Sequence, residues 1–177
     1  MIRFCVSCRS RKNTAFLVPF HQQSGRLYLG QGPRSAWTCA THACLTKLEY
    51  HPQKASRSLR KNIIDANKCT KQVQNLVKRQ IYKNIKHAQR SGSVYSGHKQ
   101  IICHQNQIHI LLLAQTSIQQ QNFWKEQLPN CNFFTLDISQ KELGFLIQKG
   151  PRSALGISRN RHAQQLLEHL QQYSQLR

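Results

Sequence analysis

Acidic residues are scarce in this sequence: its 177 residues include 6 Asp and Glu against 26 Lys and Arg, for a formal net charge of +20. So few carboxylates leave few candidates for general acid or base catalysis, and no glycine-rich cofactor loop accompanies them. Repulsion among the cations opposes folding, which favours a persistent polyanionic partner. Nucleic acid is the first candidate for that partner, and an anionic membrane surface is the second.

Long hydrophobic runs are also missing. The longest, Ile110–Ala114, is too short to cross a bilayer but has the length of a buried strand. The amino terminus is polar again by Ser7, so it has no apolar signal-peptide region. We therefore expect a cytoplasmic protein without a membrane partner. In a reducing compartment, the seven cysteines indicate metal binding, packing or incidental thiols rather than disulfides.

The positive charge is concentrated in the first part of the chain. Residues 1–99 carry 19 basic and 2 acidic side chains, whereas the remainder carries 7 and 4. Within Lys54–Lys99, apolar residues recur every three or four positions from Cys69 to Ala88. This period predicts an amphipathic helix with one apolar face and one cationic face. Such a helix can pack on a core while it presents uncompensated positive charge to a polyanion.

Two pairs of closely spaced cysteines lie in the first 44 residues of the chain. Cys5 and Cys8 have the spacing of a zinc knuckle, and Cys39 and Cys44 form a wider second pair. Zinc takes four thiolate or imidazole ligands from two such turns, so the pairs suggest a structural zinc site in which His42 is an alternative ligand. The competing interpretation is that the reduced thiols merely pack near one another. The spacing leaves both open.

Short strands are predicted at residues 15–18, 26–29 and 34–39, and helices at 43–50 and 56–64. The order Arg3-x-Cys5-x-x-Cys8-Arg9, a strand hairpin, Arg34-Ser-Ala-Trp37-x-Cys39, Cys44 and a basic helix resembles the YlxR-type small RNA-binding family over residues 2–62. That family has a Gly-Arg-Gly-Ala-Tyr-like loop, and Pro33, Ser35 and Trp37 replace its two glycines and its tyrosine here. The resemblance implies an α+β module with a small antiparallel sheet and basic helices.

The resemblance and the residue types together predict RNA contacts in this first module. Arg34, with no acidic neighbour in sequence, can hold a phosphate bidentately. Trp37 can offer its face to a base or pack in the core, and both roles remain open. The other basic residues predicted to contact RNA here are Arg3, Arg9, Arg57, Arg60 and Lys61.

Strands and helices alternate through the rest of the chain. A brief strand or turn is predicted at 94–97, strands at 108–114, 132–137 and 153–157, and helices at 98–104, 116–128, 139–148 and 161–173. Gly92 is a natural end for the long helix, and Ser139 with Glu142 suggests a capping box. This alternation predicts a layered α/β domain.

The second region is similar to the kink-turn RNA-binding family of ribosomal and small-ribonucleoprotein proteins over residues 79–173. The segments that carry the similarity are Ala88-Gln-Arg-Ser-Gly92 with Ser96-Gly97, residues 110–115, Glu142-Leu-Gly144 ahead of Lys149-Gly150, and residues 153–167. Family members that grip a kink-turn begin the helix after their first strand with a Gly-x-Asn-Glu-like sequence and place a lysine one turn later. This chain has Gly97-His98-Lys99 and Cys103 instead.

The similarity implies an α/β layered sandwich of the kink-turn-binding ribosomal protein type, together with general RNA binding. It implies RNA contacts from residues in the helix ends and loops of this domain: Arg90, Gly97, His98, Lys99, Lys149, Arg152, Arg159 and Arg161. The segment Gly32-Pro-Arg-Ser-Ala36 recurs as Gly150-Pro-Arg-Ser-Ala154. Five residues are too few for a repeat architecture, so we treat the recurrence as a coincidence.

We therefore predict a non-enzymatic RNA-binding protein that acts on structured RNA, either ribosomal or another non-coding RNA, within a ribosome or a ribonucleoprotein. The predicted domains are 1–62, a helical connector at 63–78, and 79–177. One alternative is a recognition subunit or remnant of an RNA-modifying enzyme, although we expect no cofactor domain beside the two predicted modules. The other is a zinc-stabilised module that docks DNA or protein, for which finger or helix-turn-helix spacing is missing. The sequence specifies neither the RNA nor the oligomeric state.

Overall fold

The computed structural model describes residues 1–66 and 68–177, apart from the side chain of Ala15. The chain divides into two compact units: residues 1–78 with 171–177 form the first, and residues 79–170 form the second. Helix α3 (Cys69–Arg90) begins in the first unit and ends in the second, and α7 (Arg161–Gln175) does the reverse. The domain boundaries derived from the sequence stay a prediction.

The first unit contains two small antiparallel sheets followed by short helices. Its elements are β1 (Ile2–Phe4), β2 (Arg11–Asn13), β3 (Leu17–Gln23), β4 (Arg26–Leu29), β5 (Ala36–Cys39), α1 (His42–Tyr50) and α2 (Gln53–Leu59). Strands β1 and β2 pair with each other, and the other sheet has the order β4-β3-β5. The predicted combination of a small antiparallel sheet with helices is confirmed.

The central hairpin of this unit follows from a two-residue turn. Ser24 and Gly25 both have positive φ angles, 48° and 79°, and join β3 to β4. Such turns match the right-handed twist of paired strands. The strand predicted at 15–18 starts later, because Thr14–Phe16 forms a 3₁₀ turn. Strands β1 and β2 were not predicted, since all their residues are exposed and show no apolar alternation.

The helix predicted at 56–64 lies earlier in the chain. Helix α2 begins after Pro52, whose φ of −61° fits a helix start, and ends at Arg60, whose φ of 51° is left-handed. The chain then runs beside the hairpin, where the N–H of Ile64 donates to the carbonyl oxygen of Gly25 at 2.8 Å. Thr41 occupies the cap position of α1, but its side chain forms no capping hydrogen bond.

The second unit is a four-stranded sheet with helices between the strands. The elements that follow α3 are β6 (Val94–Ser96), α4 (His98–Cys103), β7 (Ile108–Leu113), α5 (Ile118–Gln127), β8 (Asn132–Thr135), α6 (Gln140–Leu146) and β9 (Ala154–Ser158). The strand order is β6-β9-β7-β8, in which β7 and β8 are parallel and the other pairs antiparallel. The predicted alternation and its layered sheet with helices are confirmed.

Strand β7 forms the middle of this core. Residues Ile110–Leu113 are almost completely buried, so both faces of the strand are covered. This explains why its sequence is a continuous apolar run instead of an alternating one. On one face, Leu111 packs in a cluster with Ile101 of α4 and Trp124 of α5.

The start and middle of α6 explain one segment of the second similarity, Glu142-Leu-Gly144 ahead of Lys149-Gly150. Ser139 and Glu142 form the expected capping box: Ser139 Oγ accepts from the N–H of Glu142 at 3.2 Å, and the N–H of Ser139 donates to its carboxylate at 2.7 Å. A Cβ atom on Gly144 would overlap the carbonyl oxygen of Gly150. Only glycine therefore lets this helix approach the turn at Lys149-Gly150.

None of the described helices is long and apolar enough to pass through a bilayer.

Candidate metal centre and nucleic-acid groove

The four cysteines of the first unit converge. The Sγ atoms of Cys5, Cys8, Cys39 and Cys44 all lie within 4.8 Å of one another, and those of Cys8 and Cys39 are 3.9 Å apart. Tetrahedral zinc, with Zn–S bonds of about 2.3 Å, holds its sulfur ligands about 3.8 Å apart. All seven cysteines of the chain are free thiols. His42, the alternative ligand, is exposed and lies outside this group.

A tight turn presents the first pair of thiols. Arg9 adopts a left-handed φ of 64°, and its N–H donates to the carbonyl oxygen of Cys5 at 2.9 Å. The backbone N–H groups of Cys8 and Cys39 point at the sulfur of Cys5, at 3.5 and 3.3 Å. Such N–H···S hydrogen bonds favour the thiolate and orient it, as outer-shell partners of metal ligands do. The second pair comes from the end of β5 and the first turn of α1.

The four thiols differ in how readily they ionise. Burial raises the pKa of Cys5, but hydrogen bonds from Thr38 and from backbone N–H groups outweigh it and lower the pKa to about 6. Burial raises the pKa of Cys44 to about 12, and the charge of Cys5 adds to this effect. Burial and the same charge also raise the pKa of Cys39. A divalent cation among the sulfur atoms would offset this repulsion, so the donor set suits zinc.

A groove of about 840 Å³ lies in the same unit and shares Trp37 with the cysteine cluster. Three arginines and two aromatic rings line it: Arg3, Arg34, Arg60, Phe4 and Trp37. Among the described residues of the lining, none is acidic. The structure therefore brings together four of the predicted RNA contacts, and it adds Phe4, which the sequence reasoning missed. The sequence feature that could have pointed to Phe4 is its position directly before Cys5, the first cysteine of the cluster.

The loop that carries Arg34 is closed by its own side chains. The N–H of Gly32 donates to Ser35 Oγ at 3.1 Å, and that hydroxyl lies 3.4 Å from the Gly32 carbonyl oxygen. A Cβ atom on Gly32 would come within 2.8 Å of the His21 Cβ, so the loop needs glycine there. This closure leaves Arg34 exposed in the groove. Arg34 also lines a neighbouring cleft of about 220 Å³ together with Lys61.

Trp37 belongs both to the packed core and to the lining of the groove. It is partly buried and packs against the cluster that contains Cys5, Cys39 and Leu17. It also lines the groove. Its carbonyl oxygen accepts from the N–H of Val6 at 2.8 Å, which ties β5 to the turn of the first cysteine pair. The backbone that positions the thiols therefore also positions Trp37 in the lining of the groove.

The acidic side chains of the first unit serve its internal structure. The Glu49 carboxylate accepts from the N–H of Thr70 at 2.8 Å, at the start of α3. Asp65 pairs with Arg26 at 3.6 Å. This unit has 15 basic side chains and only these 2 acidic ones. The groove therefore lies in an uncompensated positive field.

Three predicted contacts of the first unit do not join the groove, and one of them, Lys61, lines the neighbouring cleft instead. Arg9 and Arg57 are exposed, but neither lines the groove.

A second cleft, of about 350 Å³, lies in the second unit and contains three predicted contacts. Gly97, His98 and Arg152 line it together with Phe123 and Trp124. The ring centroid of His98 lies 5.3 Å from that of Phe123 and 5.4 Å from that of Trp124. The Arg152 guanidinium donates to the carbonyl oxygens of its own loop, at 2.9 and 3.4 Å. The cleft therefore combines an aromatic surface with an arginine whose guanidinium is partly used in hydrogen bonds to the backbone.

The remaining predicted contacts of this unit fall at two ends of β6. Lys149 Nζ lies 3.5 Å from Ser96 Oγ, which places Lys149 beside the second cleft, and Lys99 follows on α4. At the other end of the strand, the N–H of Ser158 donates to the Ser93 carbonyl oxygen at 3.0 Å. Three exposed arginines lie within three residues of these two serines in the chain: Arg90, Arg159 and Arg161. Because β6 and β9 are antiparallel, the end of β9 lies beside the start of β6, and the two groups are found at opposite ends of β6.

No family model matches the chain, and no curated protein matches its sequence. Solved structures similar to it include a protein with unknown function from Bacillus halodurans, with a TM-score of 0.47 and 14% identity over 51% of this chain and 96% of that one. They also include the Giardia lamblia 15.5kD RNA binding protein, with a TM-score of 0.46 and 12% identity over 58% of this chain and 91% of that one. Likeness at this level does not establish a shared function.

Proposed function

We propose that this chain is a non-enzymatic RNA-binding protein that contacts the phosphates of structured RNA, ribosomal or another non-coding RNA, through the groove of the first unit. The observation that carries the proposal is the convergence of three arginines on one concave surface with no acidic lining among the described residues. Guanidinium groups bind phosphate bidentately, and they are hydrated more weakly than ammonium groups. Arginines with exposed aromatic rings are the usual composition of nucleic-acid grooves.

The chemistry of the lining supports binding over catalysis. Among its described residues there is no histidine, cysteine or carboxylate to act as a base. The hydroxyl of Ser35 is hydrogen-bonded to the backbone of Gly32. The groove therefore offers charge and flat apolar surface, which are sufficient for holding RNA.

We also propose that Cys5, Cys8, Cys39 and Cys44 bind a structural zinc ion. All four positions in the coordination sphere would be protein ligands, as is typical of structural sites and unlike catalytic ones. The ion would link the segment after Phe4 to the end of β5, which carries Trp37. In this way it would stabilise the two strands that carry the aromatic residues of the groove.

Salt dependence of RNA affinity tests the main proposal. If about 6 phosphates are contacted, log affinity should fall against log salt with a slope of about −4 to −5. Fluorescence anisotropy with a structured RNA at several salt concentrations measures it. The double variant Arg34→Gln, Arg60→Gln should bind more weakly and with a shallower slope.

The matched control is Lys125→Gln with Lys141→Gln, which removes the same charge from exposed helical positions of the second unit. This control should retain nearly wild-type affinity. Equal losses in both double variants would show a diffuse charge effect and contradict the groove. A flat salt response, or tighter binding of duplex DNA than of structured RNA at matched salt, would contradict RNA binding itself.

A further inference from the structure

The two aromatic side chains of the groove come from two different strands. Phe4 ends strand β1 and is 55% exposed, although it is a large apolar residue. Trp37 belongs to β5 and is only partly covered by the cysteine cluster. The carbon of the Arg11 guanidinium lies 5.0 Å from the centre of the Phe4 ring, so this ring is also part of a cation–π pair. The groove thus contains more aromatic surface than phosphate binding requires.

An exposed aromatic ring in a cationic groove is suited to a nucleic-acid base. In a duplex the faces of the bases are covered by neighbouring base pairs, and only their edges and the backbone are accessible. Unpaired bases can stack on aromatic side chains or on arginine planes. The groove volume of about 840 Å³ is that of a ligand-sized site, which accepts a short strand more readily than the broad surface of a duplex.

We infer that the groove recognises an unpaired segment of RNA, whose phosphates contact Arg3, Arg34 and Arg60 while its bases stack on Phe4 and Trp37. This inference rests on the proposed function and specifies its substrate class: a loop, bulge or single-stranded end instead of a paired stem. It also assigns to Phe4 a binding role. That role explains why an apolar side chain is exposed beside three cations.

Binding of two RNAs of equal length tests the inference: an oligouridine, whose bases are unpaired and little stacked, and a blunt RNA duplex. At the same salt concentration, the wild-type protein should bind the oligouridine about tenfold more tightly than the duplex. Phe4→Leu should weaken oligouridine binding about fivefold and leave duplex binding unchanged. The control is Phe16→Leu, because Phe16 is 69% exposed and does not line the groove; it should change neither affinity.

Fluorescence of Trp37 provides a second readout that does not depend on Phe4. In a Trp124→Phe background, Trp37 is the sole indole of the chain. Oligouridine at saturation should quench its emission through stacking, and the duplex should not. This measurement also decides the question if Phe4→Leu proves unstable.

The outcomes separate the inference from the function on which it rests. Equal affinity for both RNAs, no effect of Phe4→Leu and no quenching would overturn base stacking. The phosphate groove would then still stand if Arg34→Gln with Arg60→Gln weakens binding. Failure of both RNAs to bind in a salt-dependent way would overturn the proposed function as well.

Discussion

The same five residues, Gly-Pro-Arg-Ser-Ala, lead into β5 in the first unit and into β9 in the second. In the first copy, Ser35 closes the loop and Arg34 is exposed in a cationic groove. In the second copy, Arg152 is half-buried and donates to carbonyl oxygens of its own loop. The comparison teaches that an arginine's availability to a ligand depends on its surroundings and not on its neighbours in sequence.

The two units also differ in what holds them together. The first has 15 basic and 2 acidic side chains and a cluster of four cysteines. The second has 11 basic and 4 acidic side chains and a central strand that is buried on both faces. Small units with limited apolar cores commonly depend on a metal or another cross-link. We therefore expect the first unit to depend on its thiols and the second on close packing.

The largest effect is expected from Cys5→Ser. Loss of one ligand should abolish zinc binding and destabilise the first unit by about 3 kcal/mol or more, because zinc binding and folding are coupled. Metal analysis and hydrogen exchange should show loss of zinc and faster exchange in β3, with β7 little changed. Cys103→Ser, at an exposed thiol of the second unit, is the control and should alter neither. A wild-type protein purified without zinc and equally protected in β3 would contradict the metal centre.

Gly144→Ala should have a large effect confined to the second unit. The added Cβ would overlap backbone atoms at Gly150, which cannot move as a flexible side chain can. We expect a loss of about 3 kcal/mol of unfolding free energy and faster exchange in β9. Gly92→Ala serves for comparison, because Gly92 has a φ of 70° but open space around it, so its cost should be about 1 kcal/mol. If both variants lost the same unfolding free energy, the close approach of Gly150 would not be the reason that position 144 needs glycine.

Arg34→Gln and Arg152→Gln test the comparison of the two loops directly. Arg34→Gln should weaken RNA binding about tenfold and leave the melting temperature unchanged, because its guanidinium faces the groove. Arg152→Gln should lower the unfolding free energy by about 1 kcal/mol, because it loses hydrogen bonds to backbone carbonyls. Anisotropy and thermal denaturation of both variants measure the two effects. If Arg34→Gln lowered stability and Arg152→Gln weakened RNA binding instead, the proposed difference between the two arginines would be wrong.

The smallest effect is expected from Glu49→Gln. The carboxylate receives an N–H at the amino-terminal end of α3, where a negative charge is favourable. Its loss should cost about 0.5–1 kcal/mol at low salt and less at high salt, as measured by urea denaturation at both. Glu126→Gln, in the last turn of α5, should show no such cost, because a negative charge is unfavourable there. A salt-independent loss at Glu49 would point to packing instead of charge.

Elements with a strong local signal could be predicted, and elements defined by contacts could not. The run Ile110–Ala114, the capping box at Ser139 and the glycine stop at Gly92 each indicated their structure correctly. Helix α2 was misplaced, because the left-handed conformation of Arg60 has no sequence signature of the kind that glycine supplies. Strands β1 and β2 were not predicted, because strands whose residues are all exposed show no alternation of apolar and polar residues.

The candidate sites show the same division. The spacing of the two cysteine pairs predicted that all four thiols could share one site, with His42 as an alternative ligand, and the fold brings the four sulfur atoms together while His42 lies outside the group. Of the residues predicted to contact RNA, some converge in the groove, while others lie elsewhere. For residues in separate helices, strands and loops, the distance along the chain does not tell which exposed cations share one surface.

By itself, the sequence determined the quantities that need no geometry: a large positive charge, the count and spacing of the thiols, and the period of the apolar residues. The tertiary structure decided which cations face one groove, that Phe4 joins them, and that Trp37 belongs both to the groove and to the core. The physical reason is that charge and period are additive properties of a chain. A binding site, by contrast, depends on distances between residues that only folding brings together.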